Sequence, residues 1–267
     1  MERYLKFTLL FLFYGLFTMM GNAQDRMTDR LEESPRHHEW VEISAGDKTL
    51  KGFLVFPEIS EKAKTVIVIH ENRGLTDWVR NFADQLAEKG FIAFAPDLLS
   101  DFSEEYTGTA DFPSSDDARN ALYELDEKLV TSYLHNSFNY LKKLAAGNGE
   151  VAVVGFCWGG SQSFRYATNN ENLSEVLVFY GTGPKEAIDY AKIEAPVYGF
   201  YGGNDQRVNA TIEASKEAMN EYQHIYDVQV YEGAGHAYMR SGDDPTGQEA
   251  NIGARNKSWE RMLRILK

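Results

Sequence analysis

At 267 residues, with 43% hydrophobic and 25% charged side chains, the chain has the size and composition of one large globular domain, which leaves no case for a fibrous repeat or a disordered protein. Its formal charge of −13 is opposite to what phosphate backbones require, so nucleic acid is excluded as a partner and anionic membrane is disfavoured. A lone cysteine cannot form a disulfide within the chain, so its position carries weight.

The first residues have a short basic start (Arg3, Lys6), an apolar stretch from Phe7 to Gly21, and small residues at Gly21 and Ala23 before Gln24. That is the layout of a secretory signal peptide over residues 1–23, and it implies export to the periplasm or exterior with no stable membrane association after cleavage. Residues 24–39 are polar, read as an exposed lead-in, and bring no metal-ligand spacing at His37 and His38.

From residue 40 onward one domain is expected. Alternation over residues 41–57 predicts two short antiparallel strands joined at Gly46-Asp47 and stopped by Pro57. Short, continuously apolar runs follow at residues 65–70, 91–96, 151–156, 175–181, 197–203 and 228–233, as strands buried on both faces of a parallel sheet read. Helical patterns lie between most of them: residues 77–90, with Asp77 as the cap, a long or broken helix over 114–149, and further helices over 209–223 and 256–267. This alternation predicts a doubly wound α/β sheet. Residues 101–115 form its least regular insertion, placed to wall a site at the carboxyl ends of the strands.

The cysteine sits in "VAVVGFCWGG", where a strand, a tight turn tipped by Cys157 and a helix from about Gly159 make a nucleophile elbow with cysteine in place of serine. Strand and helix approach so closely there that side chains would clash at Gly155 and Gly159. A helix N-terminus favours thiolate, and the Trp158 N–H is free to face a developing oxyanion.

Such a nucleophile needs a base, and the base needs an orienting acid. Asp205 follows one strand in "YGGNDQRVNA" and His236 follows the next in "YEGAGHAYMR". The order nucleophile, acid, histidine is that of the α/β-hydrolases. Glutamine amidotransferases share the cysteine elbow but use a His-x-Glu pair, whereas Ala237 and Tyr238 follow His236 here.

These residues resemble the dienelactone hydrolase family, the cysteine-nucleophile branch of the α/β-hydrolases, over roughly residues 40–267. The stretches "VIHENRGL", "GFIAFAPDLL", "VVGFCWGG", "FYG", "APVYGFYGGNDQRVNA" and "YEGAGHAYMR" carry the likeness in order. The resemblance implies a triad of Cys157, Asp205 and His236, a second oxyanion donor at the Asn72 N–H, and a glutamate, Glu71, that takes the thiol proton when substrate arrives. It also implies two arginines that hold a substrate carboxylate. Arg240 matches the second, whereas the first position carries Asp101, which would repel that carboxylate unless Arg73 replaces the charge. The expected activity is hydrolysis of small esters or lactones through a thioester, with no metal or organic cofactor; the rival is a non-catalytic small-molecule binding protein on the same scaffold.

Overall fold

The computed structural model describes residues 27–267, in two compact units, one ending at Pro35 and the other running from Arg36 to Lys267. The signal-peptide reading lies outside the described residues. In the first unit residues 27–32 are helical, with Met27 and Leu31 buried four residues apart on one helix face, so this part of the expected exposed lead-in is ordered.

In the second unit, β1 (His38–Ala45) and β2 (Lys48–Val55) form the expected antiparallel hairpin, which pairs in turn with β4 (Ile92–Asp97). His38 is tied down rather than solvated. Its Nε2 donates to Asp84 at 2.8 Å, and Arg36 donates twice to the same carboxylate.

The sheet runs β1-β2-β4-β3-β5-β6-β7-β8, with β3 (Ala63–Ile69), β5 (Gly147–Phe156), β6 (Val176–Phe179), β7 (Val197–Gly202) and β8 (Tyr226–Tyr231) parallel to β4. Helices cover it: α1 (Asp77–Glu88), α2 (Ser115–Glu124), α3 (Glu127–Lys142), α4 (Trp158–Ala167), α5 (Gln206–Asn209), α6 (Ile212–Glu221), α7 (Tyr238–Ser241) and α8 (Glu249–Leu266). This is the α/β-hydrolase architecture. Its core is aromatic: Phe156, Phe179 and Phe200 are fully buried on adjacent strands, with the rings of Phe179 and Phe200 stacked at 4.2 Å. Each such ring stabilises the fold by about 1.5–3 kcal/mol through burial.

Helix ends depart from the sequence reading in several places, one being the helix expected over 209–223, which runs from Ile212 to Glu221 after a separate short helix, Gln206–Asn209. Thr76, not Asp77, occupies the cap of α1, and Asp77 lies in the first turn, where its charge suits the helix dipole. The long helix over 114–149 breaks at Leu125-Asp126, because Asp126 accepts from the Lys128 N–H and so starts a new helix; residues 147–149 belong to β5. The last helix begins at Glu249 rather than residue 256.

Parallel pairing aligns the strand ends. Ile69 pairs with Gly155, Phe156 with Phe179, and Phe179 with Phe200. Glu71, Cys157, Tyr180, Asp205 and His236 therefore all leave the sheet at its carboxyl edge.

Candidate active site

Cys157 has φ 55° and ψ −115°, a conformation that L-residues adopt only under constraint. The constraint is the packing of β5 on α4. A Cβ on Gly155 would lie 2.0 Å from the Gly159 carbonyl oxygen, and one on Gly159 would lie 2.3 Å from that of His70. The "GFCWGG" spacing is what lets the turn close and presents the thiol at its tip.

Cys157 Sγ lies 3.1 Å from His236 Nε2, and His236 Nδ1 donates to Asp205 Oδ2 at 2.5 Å. Three residues from three separate strand ends thus form one hydrogen-bonded line. Asp205 is buried and also accepts from the Val208 N–H, which fixes its carboxylate. The loop bearing the imidazole is held from behind, since the Gly235 N–H donates to Asn251 Oδ1 at 2.9 Å. This explains a polar side chain buried on α8.

Burial pushes the Cys157 thiol up to about 11, and the Glu71 carboxylate pushes in the same direction. The backbone N–H groups of Trp158 and Asn72 and the Arg207 guanidinium oppose it and do not win. The thiol is therefore neutral at rest. Both amides nevertheless converge on the sulfur, as donors to an oxyanion formed there must.

Glu71 is buried, and its Oε2 accepts from Arg240 Nε at 2.7 Å, while its Oε1 has no hydrogen-bond partner. The guanidinium is held charged by that carboxylate. Beside them is Tyr180, at φ 40°, whose ring meets those of His236 at 5.0 Å and Tyr238 at 5.4 Å and whose buried hydroxyl also lacks a partner. Burial, then the nearby Glu71 charge, holds that phenol well above its usual range. Two buried oxygens without a partner thus lie near one another and near Cys157.

Asp101 is bonded to the start of β2. It sits at φ 52°, its Oδ2 accepts from the Thr49 N–H at 3.0 Å, and its carbonyl accepts from Lys48 Nζ, which commits it to the β1–β2 turn. Arg73 is exposed and has no ion-pair partner among the described residues. Arg207, on α5 two residues past Asp205, acts on the thiol by its charge and was not singled out in the sequence, where "NDQRVNA" reads as a polar turn.

The 101–115 segment is anchored rather than loose. Thr109 donates to Asp97 from both N and Oγ1 at 2.7 Å, and its Oγ1 accepts from the Leu75 N–H at 2.9 Å, which ties this wall to the loop that carries Glu71. Within it the rings of Tyr106 and Phe112 stack, with centroids 4.5 Å apart. Among the described residues no group of His, Cys, Asp and Glu is arranged to hold a metal ion.

Fold and site together define an α/β-hydrolase with a cysteine at the elbow. Residues 50–267 match the dienelactone hydrolase family, and the chain belongs to that family. A provisionally named carboxymethylenebutenolidase of Salmonella typhimurium is 30% identical over 82% of this chain and 83% of its own length. Among solved structures, a provisionally named dienelactone hydrolase from Klebsiella pneumoniae superposes with a TM-score of 0.75 at 21% identity, covering 86% of this chain and 98% of its own. A dienelactone hydrolase-like promiscuous phosphotriesterase from metagenomic libraries gives 0.72 at 23% identity, covering 86% of this chain and 97% of its own. Membership makes the chain a hydrolase acting on ester or lactone bonds.

Proposed function

We propose that the protein hydrolyses small esters or lactones with Cys157 as nucleophile, through a thioester to its sulfur. At rest the thiol is neutral. When substrate fills the site, the free Oε1 of Glu71 takes the thiol proton and the thiolate attacks the carbonyl carbon. The Trp158 and Asn72 N–H groups hold the oxyanion. As the carbonyl reforms, the C–O bond breaks and the proton taken from the thiol ends on the departing alcohol oxygen. His236, oriented by Asp205, then removes a proton from water, hydroxide attacks the thioester, and the expelled thiolate regains that proton from the imidazolium.

The observation that carries this reading is the Asp205–His236–Cys157 line, 2.5 Å and 3.1 Å long at its two contacts. A non-catalytic binding protein would have no use for a strained φ at that cysteine. The test is an ester and lactone panel with Cys157→Ala alongside, plus intact mass measurement during turnover. We expect an acyl adduct on wild type and loss of activity in the variant; full activity in Cys157→Ala sinks the proposal.

Export belongs to the same reading. It rests on the basic, apolar and small-residue order of residues 1–23, and on the charge of −13 for the absence of nucleic-acid or lasting membrane partners. Amino-terminal sequencing of the expressed protein should begin at Gln24, and an intact Met1 on the purified protein would overturn it.

A further inference from the structure

The residue before Glu71 touches both sides of the thiol's amide pair without touching the thiol. His70 is fully buried immediately after β3. Its Nδ1 lies 2.8 Å from the Glu71 carbonyl oxygen, and its Nε2 lies 3.2 Å from the Leu98 backbone nitrogen. A carbonyl can only accept and a backbone N–H can only donate, so the ring is the neutral tautomer with its proton on Nδ1. No other protonation state satisfies both contacts. Burial is the largest influence on the ring and favours the neutral form, against the charges of Asp97 and Glu71 that face it.

The bond to the Glu71 carbonyl has a geometric consequence. That C=O and the Asn72 N–H belong to one peptide group, which is trans, so the two point in opposite directions. Fixing the carbonyl on His70 aims the N–H away from His70, on the side where it meets the Cys157 sulfur. The same imidazole stacks on the Trp158 indole, with centroids 5.7 Å apart and planes 11° from parallel, and Gly159 closes on the His70 carbonyl. One buried ring therefore braces both segments that supply the amides.

We propose that His70 is a positioning residue for the oxyanion hole: its Nδ1–H fixes the Glu71–Asn72 peptide, and its ring face fixes Trp158, so that both N–H groups converge on the reacting carbonyl oxygen. This rests on the thioester reading above. It also separates two neighbours by role, Glu71 acting through its side chain and His70 acting only through the peptide between Glu71 and Asn72.

The test compares His70→Leu and His70→Gln in the full chain, with Cys157→Ala beside them. Losing one oxyanion donor costs about 100-fold or more in kcat, so His70→Leu should lose about that much in kcat with KM changed less than about threefold. Glutamine can donate from Nε2 and accept at Oε1, as the imidazole does, so His70→Gln should recover to within about tenfold of wild type. Alkylation of Cys157 by iodoacetamide passes through no oxyanion and should change less than about fivefold in either variant. A merely structural histidine predicts instead that alkylation and hydrolysis fall together and that glutamine gives no rescue.

A His70→Leu variant with kcat within about threefold of wild type overturns the proposal. Activity surviving in Cys157→Ala overturns the thioester reading instead. Should the leucine variant fail to fold, nitrogen-15 histidine spectra of the wild type decide. The resonances assigned to His70 should show a ring protonated at Nδ1 and unprotonated at Nε2, and protonation of that ring at Nε2 overturns the proposal.

Discussion

Arg240 Nε donates to Glu71 Oε2 at 2.7 Å, while the second oxygen of that carboxylate is buried with no partner. The ion pair holds the glutamate in place and leaves one oxygen available. That oxygen belongs to a group whose charge raises the Cys157 thiol, so Glu71 both restrains the nucleophile and is equipped to release it.

Glu71→Gln should therefore move two observables in opposite directions. Removing the charge takes away the second-largest cause of the raised thiol and leaves the Arg240 charge unneutralised, so resting alkylation of Cys157 at about pH 8 should speed up several-fold. Ester hydrolysis should fall by about 100-fold, because the carboxylate that takes the thiol proton when substrate arrives is gone. Both quantities falling together would show that Glu71 only supports the fold.

In wild type without substrate, alkylation should follow the thiolate fraction, rising with pH to an inflection near about 11, the value to which burial pushes the thiol. The neutral form is the one favoured, so lowering pH cannot increase the rate. At about pH 8 the rate should be about 100-fold below that of a thiol at its ordinary value. A stopped-flow iodoacetamide series checks this, and an inflection near pH 7 would mean that a thiolate–imidazolium pair with His236 is already formed.

Asp205→Asn should lower kcat by at least about 100-fold with little effect on KM. An amide that donates to Nδ1 forces the proton of the imidazole onto Nε2, which then cannot accept from water. The thioester should accumulate, so intact mass during turnover should show more acyl adduct than in wild type. A kcat within about threefold of wild type would remove Asp205 from the line.

The elbow, the strands and the Asp205–His236 pair were legible because each depends on a local pattern: glycines beside one turn, apolar runs of strand length, polar residues just past a strand. What stayed hidden depends on contacts distant in sequence. Nothing near Asp101 announces the Thr49 N–H, 52 residues away, that takes its carboxylate. The start of α8 was obscured because Asn251 and Gly253 interrupt its apolar pattern, and Asn251 is there to hold the Gly235 N–H. His70 could be seen to end a strand, but its two backbone partners set its role, and one of them, Leu98, lies on another strand's exit. Arg207 was passed over because an arginine in a polar loop has no periodicity to betray it.

The 101–115 wall provides a prediction that does not depend on the chemistry at the thiol. Thr109 Oγ1 links Asp97 on one side to the Leu75 N–H on the other, and Gly74, at φ 77°, packs so closely that a Cβ would lie 2.2 Å from that hydroxyl oxygen. Thr109→Val keeps the side-chain shape and removes the hydroxyl, leaving the Leu75 N–H without its acceptor and Asp97 with one donor fewer. The unmet groups should cost about 1–3 kcal/mol. In a urea titration the midpoint should fall with the slope unchanged, since the surface exposed on unfolding is the same. Limited proteolysis should cut faster within residues 101–115 than in wild type, because at Thr109 the wall would then be tied by its N–H to Asp97 alone. An unchanged midpoint and cleavage pattern would show that the wall is held by the Tyr106–Phe112 stack rather than by this hydroxyl.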